Sequence, residues 1–92
     1  VALLSDGEIE EKLAALSGWE RSGDAIEKRF EHGDFNGSVR FVESLVAPAE
    51  AMNHHPDVAI SWATVTVTIC THSEGGLTAN DFELAKKIDA LA

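Results

Sequence analysis

Val58-Ala59-Ile60-Ser61-Trp62-Ala63-Thr64-Val65-Thr66-Val67-Thr68-Ile69-Cys70 decides the fold of this chain. Val65, Val67 and Ile69 alternate against Thr64, Thr66, Thr68 and Cys70. A period of two built from β-branched residues belongs to a strand with one apolar face. Val58 and Ile60 alternate in the same way, so the stretch reads as two short strands joined near Ser61-Trp62-Ala63. If the pleat continues past the second strand, His72 falls on the threonine side, opposite Val65, Val67 and Ile69.

Working outward, a second pair of strands lies upstream. Trp19-Glu20-Arg21, the turn Ser22-Gly23-Asp24 and Ala25 to Glu31 read as a hairpin, with Gly23 where a tight turn needs positive φ. Ile26 and Phe30 share strand parity, and Lys28 between them is expected to lay its stem across the edge of the core. Ser5-Asp6-Gly7-Glu8 is a capping box that opens a helix, with Leu4 and Ile9 as its hydrophobic staple. Ile9, Leu13 and Leu16 follow at helical spacing, and Gly18 ends the element. Asp34 caps the next helix, whose apolar face is predicted to be Phe35, Val39, Val42, Leu45/Val46 and Ala49. Pro48 lacks an amide hydrogen and crowds the Ser44 carbonyl, so this helix should kink or end nearby, just before Glu50. Pro56 biases His55 towards extended geometry. After the Gly75-Gly76 loop, Thr78-Ala79-Asn80-Asp81 forms a second capping box with Leu77 and Phe82 as its staple, and Leu84, Ala85, Ile88 and Leu91 form the buried stripe of a last helix. The order is α-β-β-α-β-β-α. It predicts an α+β fold: a single four-stranded antiparallel sheet with helices packed on one face.

The 92 residues form one domain, residues 1–92, and 45% of them are apolar. Sixteen acids against seven bases give a formal charge of −9, which argues against a nucleic-acid backbone or an anionic membrane as partner. No apolar run approaches the ~20 residues of a membrane span. The start Val1-Ala2-Leu3-Leu4-Ser5 carries no basic leader. A lone cysteine, Cys70, cannot form an intrachain disulfide, so a cytoplasmic location is expected. A domain of this size has a small core, which makes association through a subunit interface a plausible support.

The chemistry-bearing residues are concentrated. Between Glu50 and His72 lie three of the four histidines, Glu50 itself and Trp62. Imidazole both gives and takes protons near neutral pH. The pair His54-His55 adds nothing to a core, whereas His32, beside Gly33, reads as a surface or satisfied core residue. Glu50 alone could be solvated, Trp62 could serve a turn, and capping alone explains Asp81. Zinc ligation by Glu50, His54, His55 and His72 is disfavoured, because adjacent histidines diverge in extended chain and no His-x-x-x-His pattern exists. A Cys70–His72 nucleophile is less favoured than a small strand residue at Cys70. Gly75-Gly76 is too short for a phosphate loop. Metal-free proton transfer on a bound small molecule is the favoured chemistry.

The run Glu50-x-x-x-His54-His55-Pro56, with Trp62, His72 and Asp81 downstream, resembles the signature of the pterin-4a-carbinolamine dehydratases. Gly18-Trp19, Asp34-Phe35, Thr71-His72 and Gly76-Leu77-Thr78-x-x-Asp81-x-x-Leu84-Ala85 resemble it too, so the likeness covers nearly the whole chain. It implies an enzyme that removes water from a 4a-hydroxytetrahydropterin to give quinonoid dihydropterin. His54 and His72 would handle the protons, His55 and Trp62 would bind the pterin, and Glu50 and Asp81 would hold or polarise histidines. The resemblance implies no metal and no cofactor, and it implies a homo-oligomer, dimeric or larger. Pro48 departs from the family pattern, in which the helix runs through. Two other functions compete with this one: a non-catalytic interaction module of the coactivator type, and a histidine metal-binding protein.

Overall fold

The structure, a computed structural model, describes residues 2–92, so Val1 of the opening segment lies outside the described residues. The elements run α1 (Asp6–Ala14), β1 (Glu20–Ser22), β2 (Ala25–Glu31), α2 (Phe35–Ser44), α3 (Val46–Met52), β3 (Asp57–Ser61), β4 (Thr64–Ile69) and α4 (Ala79–Leu91). This is the order read from the sequence, with the middle helix in two pieces. The strands pair in the order β1-β2-β4-β3, antiparallel throughout.

Register follows from the period of two. Ile26, Lys28 and Phe30 of β2 face Ile69, Val67 and Val65 of β4. Val65, Val67, Ile69 and Ile26 are wholly buried, each worth about 1.5–3 kcal/mol of transfer free energy. They meet Ile9, Phe41, Leu45, Phe82, Leu84, Ala85 and Ile88 of the helices in one core. The opposite sheet face is polar, and there the Thr64 and Thr68 hydroxyls donate to Glu31 and Glu27 across the strand pair. The helices therefore cover one face only. Lys28, on the inner face, turns its ammonium out at the rim. It donates to the Ser17 carbonyl and to Asp89, whose carboxylate also receives the Trp19 indole N–H.

Both predicted capping boxes are present, at Ser5/Glu8 and Thr78/Asp81. The Ser5 amide, and then its hydroxyl, hold the exposed Glu8 carboxyl below its ordinary range. Asp34 caps α2 by accepting from the Gly37 N–H. A Cβ on Gly37 would stand 2.7 Å from the His32 carbonyl oxygen, so no larger residue fits there without a shift.

The buried face of the middle helices differs from the predicted stripe. Ser38, Phe41, Leu45 and Ala49 are buried, whereas Phe35 and Val46 are 55% and 60% exposed. Leu45 and Ala49 are buried as expected, but within α2 the stripe is turned by one position, because Phe41 enters the core against Phe30 at 4.8 Å between ring centroids. The one hydroxyl on this face, Ser38, is accommodated because it donates to the Trp62 carbonyl at 2.7 Å. The helix breaks at Leu45, and Pro48 falls within the first turn of α3. A missing amide hydrogen costs least in a first turn, and the break removes the clash that Pro48 would make with the Ser44 carbonyl. Pro48 thus sets where the chain restarts and leaves Glu50 inside a helix.

The end of α3 sets the direction in which the histidine pair leaves the helix. Asn53 adopts a left-handed conformation, φ 49 and ψ 45, and the His54 N–H bonds back to the Ala49 carbonyl at 3.0 Å. This is a helix stop of the Schellman kind, for which Asn is the usual substitute for Gly.

Two outcomes are expected for stability. Asp89→Ala strips partners from two half-buried donors at once. It should lower unfolding free energy by about 2–3 kcal/mol in urea titration; a loss under about 0.5 kcal/mol would refute the rim network. Asn53→Gly should unfold within about 0.5 kcal/mol of the parent, while Asn53→Val, forced to positive φ, should lose about 1–2 kcal/mol. Equal midpoints for the two variants would contradict the assigned backbone.

Candidate active site

Each histidine near the sheet end is held by a different element. His54 leaves the Asn53 stop pointing inward, and its Nε2 lies 2.6 Å from Asp81 Oδ1. Asp81, in the first turn of α4, is fully buried. Its other oxygen, Oδ2, accepts from the Thr78 N–H at 2.7 Å and the Thr71 hydroxyl at 2.8 Å. Buried carboxylates persist when their lone pairs are met in this way. An ionised carboxylate only accepts, so His54 Nε2 carries a hydrogen. The ring nitrogen left for other partners is Nδ1.

His55 is more exposed, and its Nε2 is bonded to Glu50. His72 sits in the loop after β4. That loop closes on Thr71, whose N–H donates to the Gly76 carbonyl at 2.9 Å and whose carbonyl accepts from Glu74 and Gly75 at 3.0 Å each. His72 Nε2 lies 3.8 Å from Asp57 Oδ2, and its ring nitrogens lie 3.6 and 3.7 Å from Cys70 Sγ. Burial, and then the charges of Asp81, Asp57 and Asp24, push the Cys70 thiol up from its ordinary range. A raised thiol pKa favours the un-ionised form, so nothing in its surroundings makes it a strong nucleophile.

The structure brings His54, His55 and His72 to one open cleft of about 210 Å³, with Cys70 and Thr71 in its wall. Asp81 and Glu50 stand behind the histidines. The cleft can exchange protons with a bound molecule at more than one point, and it combines one nearly buried imidazole with two exposed ones. Among the described residues, no group of three or more His, Cys, Asp or Glu side chains is placed to hold a metal ion.

Trp62 is not brought to this cleft. It occupies the two-residue turn between Ser61 and Thr64, at the opposite end of β3 and β4 from His55 and His72. It is 72% exposed, with φ of 52. Within one chain Trp62 does not line the cleft formed by His54, His55 and His72. The β3–β4 ladder, from Asp57↔Thr68 to Ser61↔Thr64, separates the turn from the cleft.

Asp57, Asn53, Thr71 and Thr78 were not singled out as site residues from the sequence. Asp57 had a signal, since it opens β3 directly after the His-His-Pro run. Its pairing with Thr68 puts it on the same sheet face as Cys70. Asn53 could have been recognised as an Asn at a helix end. Thr71 and Thr78 carry no local signal, because their partner Asp81 is a tertiary contact for the first and is masked by capping for the second.

The profile of the pterin 4 alpha carbinolamine dehydratases matches residues 2–91. A relative from Thermosynechococcus vestitus, named provisionally as a pterin-4-alpha-carbinolamine dehydratase, is 52% identical over 97% of this chain and 94% of its own. One from Sulfurisphaera tokodaii with the same provisional name is 47% identical over 96% and 95%. The crystal structure of a transcriptional coactivator/pterin dehydratase from Brucella melitensis superposes with a TM-score of 0.95 at 35% identity, covering 99% of both chains. A pterin dehydratase-like protein described as a RuBisCO assembly factor in the alpha-carboxysome shares the fold alone, with a TM-score of 0.66 at 24% identity over 80% of this chain and 86% of that one. With a family profile matched over residues 2–91 and relatives about half identical over nearly the whole chain, the chain belongs to the pterin 4 alpha carbinolamine dehydratase family.

Proposed function

We propose that the protein dehydrates a 4a-hydroxytetrahydropterin. The bond from ring carbon 4a to its hydroxyl breaks, the hydroxyl leaves as water after protonation, and the proton on ring nitrogen 5 is taken up. The product is the quinonoid dihydropterin. The observation that carries this reading is the convergence of His54, His55 and His72 on one cleft in a member of this family. Two proton movements of opposite direction need one donor and one acceptor, and His54 and His72 fill these roles without a cofactor. His54 is held rigidly by Asp81, and its Nδ1 is free for the substrate. His72 is solvent-connected and can exchange its proton between turnovers. His55, tethered to Glu50, orients the ring.

The reading extends to assembly. β3 is an edge strand, and its inward residues Val58 and Ile60 remain exposed. Beside them an apolar groove of about 240 Å³, walled by Val42, Leu45, Val46 and Ala49, runs up to Glu50 and His55. An open edge with an apolar flank favours association and supports a homodimer or larger homo-oligomer. No helix of the described residues is long and apolar enough to cross a membrane. The free Cys70 supports a cytoplasmic protein.

Activity on chemically prepared 4a-hydroxytetrahydropterin tests the chemistry. His54→Ala and His72→Ala should each lower kcat by about 10²–10⁴-fold, and the double variant should be inactive while its circular dichroism matches the parent. A double variant at full rate would remove the proton-transfer roles. For assembly, light scattering should give the parent a multiple of the monomer mass and Val46→Glu/Ile60→Lys a lower one; a monomeric parent would exclude the oligomer.

A further inference from the structure

We propose that Thr78 and Thr71 are positioning residues for the reaction, acting as a relay of two hydroxyls that fixes Asp81 and, through it, the nitrogen that His54 presents to the cleft. The inference rests on the dehydratase reading for its catalytic consequence, although its structural half stands alone.

The direction of every proton in the relay follows from a count of donors. Thr71 Oγ1 has one hydrogen, and it lies 2.8 Å from Asp81 Oδ2, an acceptor. That hydrogen is therefore committed to the carboxylate. Thr71 Oγ1 and Thr78 Oγ1 are also 2.8 Å apart, so the hydrogen between them must come from Thr78. Thr78 thus donates to Thr71, and Thr71 to Asp81. The Thr78 amide reaches the same Oδ2 at 2.7 Å. Oδ2 is saturated by two donors, and Oδ1 is the oxygen turned to His54.

None of these groups has an alternative partner in water. Thr78 and Asp81 are wholly buried, and Thr71 is 7% exposed. Desolvation makes the arrangement stringent, because a hydroxyl that turned away would leave a buried acceptor short. The relay also explains the residue types. The Thr78 methyl packs in the core where helix capping alone would accept Ser, Asp or Asn. A carboxylate at position 78 would put two negative charges together.

The consequence for His54 is a choice of tautomer. With Oδ2 satisfied, the remaining acceptor capacity faces Nε2, so the neutral ring keeps its hydrogen there and offers the Nδ1 lone pair to the cleft. Removal of the Thr71 hydroxyl leaves Asp81 with one donor fewer and leaves the Thr78 hydroxyl without its acceptor. Oδ2 is then held by the Thr78 amide alone, and the orientation of His54 is less firmly fixed. Removal of the Thr78 hydroxyl spares the bond from Thr71 to Asp81 and should matter less.

The near-isosteric variants Thr71→Val and Thr78→Val, with Thr71→Ser and Thr78→Ser as conservative partners, test the relay in the full-length chain. Dehydratase kinetics and ¹⁵N-edited histidine spectra are the two readouts. Thr71→Val should lower kcat about 10- to 100-fold with little change in KM, and Thr78→Val about 3- to 10-fold. Each Ser variant should return within about 3-fold of the parent. In the spectra, neutral His54 should be the Nε2–H tautomer in the parent and both Ser variants, and a mixture in Thr71→Val. Parent-like kcat together with an unchanged tautomer in Thr71→Val would overturn the proposal, as would a parent His54 carrying its hydrogen on Nδ1. If Thr71→Val fails to fold, the same comparison rests on Thr71→Ser against Thr71→Ala. Should the parent prove inactive on the pterin, the dehydratase reading fails while the tautomer result still judges the relay.

Discussion

One buried carboxylate ties the histidine end of this molecule together. Asp81 accepts from the backbone where α4 begins, from the Thr71 hydroxyl where β4 ends, and faces His54 where α3 has just stopped. Three chain segments distant in sequence thus share one charge with no exposure to water. Such a group is tolerated only when its acceptor sites are filled, so the positions of these segments are coupled. The sheet supplies the other half of the constraint. Val65, Val67 and Ile69 anchor β4 in the core, and the chain leaving Ile69 must therefore deliver Thr71 and His72 to a fixed place.

The three imidazoles of the cleft differ in how much they are held. His54 is nearly buried and bonded to a carboxylate that cannot move without disturbing α4. His55 and His72 are more than half exposed, each near a carboxylate that is itself solvated, Glu50 and Asp57. Exposed pairs of this kind add little to stability, because solvent screens them and long side chains must be ordered to make them. They leave the ring free to turn and to exchange protons with water. A reaction that returns to its starting protonation state each cycle needs such an exit. A fixed partner supplies orientation, since near-attack geometry is lost with small displacements.

Much of this was legible in the sequence, for local reasons. The caps at Ser5, Asp34 and Thr78 and the glycine turn at Gly23 are contacts within four residues, and the strand faces repeat with a short period. The face buried by the middle helices was less legible. Phe35, Val39, Val42 and Val46 make as good an apolar stripe as the one centred on Phe41. The choice was made by Phe30 of β2 and by the hydroxyl bond from Ser38 to the Trp62 carbonyl, both contacts outside the helix itself. The histidine cleft was anticipated through the family pattern, and the relay behind it was not, because capping already accounted for Thr78 and Asp81.

Trp62 belongs to the same sequence pattern as His55 and His72 but lies a strand length from the cleft they line. Its spacing from His55 is a strand length, and a strand carries its two ends apart. The turn it occupies requires positive φ, a conformation that costs a bulky residue about 1–2 kcal/mol and that Gly would adopt freely. The Ser38 hydroxyl clamps the Trp62 carbonyl at 2.7 Å and helps offset that strain. The indole is left projecting from the surface beside the uncovered edge of β3. Strain that persists on an exposed aromatic is not explained by the fold of one chain, since no core contact compensates for it. Trp62, Val58 and Ile60 are the large apolar side chains that the β3–β4 hairpin leaves exposed.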